Sequence, residues 1–147
     1  NDYNIISVKG ISIEKQKSLV EQIIKSKDYI SVHYRGRDKM VQGGMPKKLS
    51  EVKKACKETK TKNVFVASDN PKFFDYLCEQ EKNLTFFRYT SPPITGNNIH
   101  FNKTDFVKGE NLYKTVLDMF TCKKSKQFIP SIGSGFSNIA REFNFEF

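Results

Sequence analysis

Hydrophobic residues recur along the chain with two alternating periods. Over Ile13 to Ser26, Leu19, Val20, Ile23 and Ile24 share one helical face, with Lys and Glu elsewhere, and this predicts a helix. Tyr29-Ile30-Ser31-Val32-His33-Tyr34 is β-branched and aromatic and predicts a strand. Arg35 to Met45 is polar, with Gly36, Gly43 and Gly44, and reads as a loop. Pro46 then precedes a second helix, about Leu49 to Thr59, with Leu49, Val52, Ala55 and Cys56 inward. Val64 to Ser68 is a short continuous apolar run, the pattern of a parallel strand buried on both faces.

The chain turns at Asp69-Asn70-Pro71, where Asp69 or Asn70 can cap the next helix and Pro71 suits its first turn. Phe73, Phe74 and Leu77 give that helix its inward face, and Leu84 to Tyr89 reads as a third strand. Thr90 to Gly109 is long and polar, with Pro92, Pro93, Gly96 and Gly109, and reads as a loop. Asn111 to Cys122 predicts a helix through Leu112, Val116, Met119 and Phe120. A short strand at Gln127 to Ile129 leads into a Gly/Ser loop over Ser131 to Gly135. Phe136, Ile139, Ala140 and Phe143 then follow the spacing of a last amphipathic helix.

Helices thus alternate with short apolar strands, which predicts an α/β domain, a Rossmann-like parallel sheet with helices on both faces. The competing reading is α+β, with antiparallel pairing around Leu84 to Tyr89. A length of 147 residues, without repeat or low-complexity tract, predicts a single domain over 1–147. No apolar run approaches the ~18 residues of a membrane span, and Asn1 to Gly10 lacks the pattern of a signal peptide. Starting on Asn1 rather than Met, the chain reads as a piece of a longer protein.

Net charge changes the picture more than composition does. A formal charge of +9 and 25 basic residues suggest an anionic partner. Only four of those residues are Arg (Arg35, Arg37, Arg88 and Arg141), and the Lys are spread along the chain, which argues against nucleic acid. The planar guanidinium suits phosphate and carboxylate in a way that ammonium does not. Arg35 and Arg37 are therefore the candidates, set against a solvated Lys surface. Cys56, Cys78 and Cys122 are far apart and odd in number, so neither a disulfide framework nor a zinc site is expected, and a reducing compartment fits. The sequons at Asn83 and Asn102 arise easily in an Asn-rich chain.

In an open parallel sheet, ligands bind beyond the carboxyl ends of the strands. Three unusual segments fall there: His33 to Lys39, Ser68-Asp69-Asn70, and Ser131 to Ser137. Arg supplies bidentate phosphate contacts, a Gly/Ser loop entering a helix offers backbone N–H groups to an anion, and an Asp accepts paired donors such as those of guanine. Together they describe a nucleotide-diphosphate site. Taken singly, each has a plainer reading. Gly133-Ser134-Gly135 serves as an ordinary cap, Asp69 as an N-cap, His33 as a structural histidine, and Arg35 and Arg37 as loop charges paired with Asp38. The Gly/Ser loop is not a P-loop, since no Gly-Lys-Ser/Thr follows. With His33 and His100 the only histidines and no clustered Cys, no metal is expected.

The three segments, in this order, resemble the carboxy-terminal half of the fucosyltransferase superfamily. The α-1,6-fucosyltransferase and nodulation-protein-Z group is nearest, with protein O-fucosyltransferases and α-1,2-fucosyltransferases more distant. His33-Tyr34-Arg35-Gly36-Arg37-Asp38-Lys39 is similar to a His-x-Arg-(Arg/Gly)-x-Asp-Lys signature. Val64 to Pro71 looks like a strand ending in Ala-(Thr/Ser)-Asp-(Asp/Asn)-Pro. Leu117-Asp118 through Cys122, then Gly133 to Ser137 and Ala140, is similar to Leu-Asp-x-x-x-x-(Ser/Cys) followed by a Ser-Ser-Phe-Ser-type loop. The resemblance spans about Ile13 to Phe143.

It implies one half of a GT-B enzyme that takes a GDP-sugar, GDP-fucose above all, without a metal or other cofactor. Arg35 would contact the β-phosphate, with His33 and Asp69 near the guanine and Arg37 in the same signature. Ser134, Gly135, Phe136 and Ser137 would line the diphosphate and ribose, and Asp38 and Lys39 would position sugar or acceptor. The implied partners are the GDP-sugar, a glycan or protein acceptor, and an amino-terminal acceptor domain that this chain lacks. The sequence departs from the family at Gly36, where a second Arg is common. It departs again over Met40 to Gly44, where some members carry a Glu base and this chain has no carboxylate. The rivals are a non-catalytic remnant of the fold and a basic module that holds polyanions. A bacterial cytoplasm fits the cysteines; a Golgi or ER lumen would require an anchor outside these residues.

Overall fold

The computed structural model describes residues 5–6, 13–35, 44–68, 70, 72–89 and 116–131. In chain order the elements are β1 (Ile5–Ile6), α1 (Ile13–Ser26), β2 (Ile30–Tyr34), α2 (Gly44–Thr59), β3 (Asn63–Ser68), α3 (Phe73–Gln80) and β4 (Thr85–Tyr89). A helix over 116–124, here α4, and β5 (Phe128–Ile129) follow. Among the described residues no helix is long and apolar enough to cross a membrane.

The strands form one sheet in the order β1-β4-β3-β2-β5. β2, β3, β4 and β5 run parallel, whereas β1 pairs antiparallel with β4 through Ile5–Tyr89 and Ile6–Arg88. The α/β reading is therefore right for the four parallel strands. The antiparallel pairing weighed for Leu84 to Tyr89 is also present, at one edge. Two residues of β1 are too few to show a period in sequence.

Side chains alternate across the sheet as the pleat requires. Ile30, Val32, Tyr34, Val64, Val66 and Phe86 pack with Val52, Ala55 and Cys56 of α2 and Phe73, Phe74 and Leu77 of α3. Tyr29, Phe65, Ala67 and Phe87 pack on the opposite face with Val20 and Ile23 of α1 and Met119 and Cys122 of α4. Both faces are thus covered, which explains why β3 reads as an unbroken apolar run. Adjacent Phe86 and Phe87 are both fully buried, one on each face. Each such burial contributes roughly 1.5–3 kcal/mol.

Two boundaries differ from the sequence reading. The second helix begins at Gly44 rather than near Leu49. Pro46 falls in its first turn, where a missing N–H costs nothing. Gly44 has φ +61°, a left-handed geometry that a side chain would strain. At α3, Asn70 Oδ1 accepts from the Lys72 N–H at 2.9 Å, so it closes the preceding turn, while Lys72 stands at the N-cap without a side-chain cap bond. Asp69 and Pro71, the 90–115 stretch and the Gly/Ser loop and last helix after Ser131 lie outside the described residues.

The end of α4 is tied to the sheet by side chains. Carbonyls in the last turn of a helix have no partner within it. Here Tyr29 OH donates to the Thr121 carbonyl at 2.6 Å, and Ser31 Oγ donates to that of Cys122 at 3.1 Å. Desolvation raises the Tyr29 phenol well above its ordinary value, so it stays a donor.

Candidate functional site

The winding of the chain creates the site. From β2 it steps outward to β3 and β4 through α2 and α3 on one face, then returns past both strands to place β5 on the other side of β2. β2 is therefore where the strand order reverses, with β3 on one side and β5 on the other, and in open parallel sheets ligands bind at the carboxyl ends of the strands beside such a reversal. Residues at these ends form a chain of hydrogen bonds. Ser131, 2% exposed just beyond β5, donates from Oγ to the His33 carbonyl at 2.7 Å and accepts from the Arg35 N–H at 3.1 Å. One hydroxyl thus bridges the exits of β2 and β5.

β3 joins the same rim. In register, Tyr34 lies opposite Ser68, and Ser68 Oγ donates to the Tyr34 carbonyl at 2.6 Å. Asn70 N–H donates to the same Ser68 Oγ at 3.0 Å, turning the chain at the strand end. The Tyr34 ring stacks on Phe73 of α3, with centroids 4.5 Å apart, and anchors the end of β2 from the other side.

The electrostatics at this rim are cationic. Arg35 is half-buried where β2 ends. Lys48, 5% exposed on α2, donates from Nζ to the Pro130 carbonyl just after β5, and its ammonium lies 3.6 Å from Glu51. Burial pulls the Lys48 pKa down, and Glu51 partly offsets it. His33 is 5% exposed. Desolvation first, then the charges of Lys48 and Arg35, push its pKa down to about 3. Its imidazole is therefore neutral at pH 7. Arg35, half-buried at the end of β2, is the cation an anion there would meet, whereas Lys48 is buried against Glu51 and the Pro130 carbonyl.

Of the residues singled out in sequence, His33 and Arg35 stand together at this rim, at the end of β2. Arg37, Asp38, Lys39, Asp69, Ser134, Gly135, Phe136 and Ser137 lie outside the described residues. Asp118, part of the third motif, is 5% exposed on α4. It lies one helical turn before Cys122, whose carbonyl faces Ser31. Lys48 and the bridging role of Ser131 escaped the sequence reading. A signal for Lys48 was present: it precedes Val52 by four residues and shares the stripe completed by Ala55 and Cys56. Ser131 gave none, because its role depends on a strand pairing far away in sequence.

Among the described residues no group of three or more His, Cys, Asp or Glu could hold a metal ion, and Cys56, Cys78 and Cys122 form no disulfide. No protein-family model matches the chain, and no curated protein sequence matches it.

Proposed function

We propose that this chain is the donor-binding domain of a metal-independent, fucosyltransferase-like glycosyltransferase of the GT-B kind. It takes a GDP-sugar, GDP-fucose by the resemblance, and the sugar passes to a glycan or protein acceptor held by a second domain. The observation that carries this reading is the bonded rim. The strands that lead into all three motif segments, β2, β3 and β5, are tied at their carboxyl ends by Ser68 and Ser131.

The chemistry is electrostatic. When the bond between sugar and β-phosphate breaks, positive charge develops on the sugar ring and negative charge on the departing diphosphate. Arg35, whose backbone N–H is held at the exit of β2, meets that negative charge through its guanidinium, which suits bidentate phosphate contacts. Neutral His33 offers hydrogen bonding without adding charge, which suits a place near the guanine. A non-catalytic remnant that retains GDP affinity is the second reading, favoured by the lack of a carboxylate over Met40 to Gly44.

Titration calorimetry with GDP, GDP-fucose and UDP tests the proposal. GDP and GDP-fucose should bind in clear preference to UDP. Arg35→Ala should weaken GDP by about 1.5–3 kcal/mol, the usual worth of a hydrogen bond to a charged group. Equal binding of GDP and UDP, or undiminished affinity in Arg35→Ala, would overturn the assignment. GDP affinity without sugar transfer, even with the acceptor domain supplied, would select the remnant.

A further inference from the structure

We infer that Lys48 is a positioning residue for Arg35, acting through the exit of β5. This rests on the site reading just given and adds to it a residue that none of the three motif segments contains. A lysine buried to 5% exposure in a helix facing a hydrophobic core demands compensation, since desolvating an ammonium is costly. Its neighbours along the stripe are Val52, Ala55 and Cys56, and an apolar side chain would satisfy that packing at no electrostatic cost.

Lys48 instead pairs with Glu51 within its own helix at 3.6 Å and, beyond the helix, donates to the Pro130 carbonyl. β5 is only Phe128–Ile129, paired to β2 through Ser31–Phe128 and Val32–Ile129. Pro130 and Ser131 therefore lie beyond the last paired residue of β5. Lys48 grips the first from α2, and Ser131 Oγ links the second to the His33 carbonyl and the Arg35 N–H. The chain of contacts is continuous: α2, Lys48, Pro130, Ser131, Arg35. Without the ammonium, Pro130 loses its tie to α2, and the serine that accepts from the Arg35 N–H is held less firmly.

The arrangement also explains the local charge pattern. The first turn of α2 has no acidic residue, although a carboxylate there would be favoured by the helix dipole. A cation near that end is disfavoured locally, and departures of this kind concentrate at functional sites.

The test compares wild type with Lys48→Met, which preserves bulk, and Lys48→Arg, which preserves charge and donor. Amide hydrogen exchange is read first, without ligand. In Lys48→Met the Arg35 amide should exchange about tenfold faster, consistent with loss of one charged hydrogen bond. Amides in the β2/β3 ladder, such as Val66, should stay near wild-type rates, and Lys48→Arg should restore Arg35. An unchanged Arg35 amide, or equal acceleration throughout, would overturn the inference. GDP titration is read second: Lys48→Met should bind about tenfold more weakly and Lys48→Arg should recover. If wild type binds GDP and Lys48→Met binds it equally well, the positioning role is wrong. If wild type fails to bind GDP while the exchange pattern holds, the donor-domain reading fails and the Lys48 clamp stands. Should Lys48→Met not fold, Lys48→Gln, uncharged but polar, is read by the same two outcomes.

Discussion

At the scale of single residues, His33 carries the sharpest consequence. Its pKa falls from 6.5 to about 3 in the fold, so between those values the unfolded chain binds a proton that the folded chain refuses. Stability contributed by neutral His33 is complete above about pH 6.5 and is lost as pH falls toward 3, with a limiting slope of about 1.4 kcal/mol per pH unit. Urea unfolding of wild type and His33→Gln at several pH values isolates this contribution. The stability difference should shift against wild type as pH falls below 6.5; a pH-independent difference would show that His33 is not buried neutral. Exposed charges do less. Burial of Asp28 is slight, so its 3.0 Å pair with Lys126 lowers the carboxyl pKa but adds little stability.

At the scale of elements, α1 and α2 end alike. Lys27 and Lys60 follow them with φ 59°, a left-handed conformation usually left to glycine. At α1, Lys27 N–H bonds to the Ile24 carbonyl and Asp28 N–H to that of Ile23; at α2, Thr61 N–H bonds to that of Cys56. These are helix-closing bonds whose geometry imposes the positive φ on a lysine. Replacing Lys60 by Gly relieves the clash between Cβ and carbonyl, which costs roughly 1–2 kcal/mol, against glycine's greater unfolded freedom. The expected outcome is a net gain of about 0.5–1 kcal/mol, read as a higher urea midpoint with an unchanged slope. A lower midpoint would show that the Lys60 side chain contributes more than its backbone strain costs.

At the scale of the whole molecule, the question is what the charge of +9 is for. Lysines stand exposed on α1, α2 and the turns between elements, including Lys15, Lys25, Lys53, Lys54, Lys57, Lys62 and Lys82, rather than on one face of one element. A site built around Arg35 neutralises few charges. GDP affinity should therefore fall about tenfold or less between about 50 and 200 mM salt, where a polyanion spread over six to ten cations would lose about a thousandfold or more. Calorimetry at both salts checks this, and a steep loss would favour the polyanion module over the nucleotide site.

The sequence by itself determined the longer elements and the faces they bury, though not β1 or the start of α2. The helix over Ile13 to Ser26 matches its predicted bounds, and β2, β3 and β4 match within a residue. Local periodicity suffices where a segment is long enough to show its period and each face meets a core. The same patterning marked His33 and Arg35 as residues of a strand end. Only the tertiary structure decided that β5 returns to the far side of β2, that β1 closes the other edge in the opposite sense, and that Lys48 reaches Pro130. The physical reason is separation. Ser131 meets Arg35 across 96 residues, and Lys48 meets Pro130 across 82. A bond between such distant residues follows from the order in which strands pack, which no local period records.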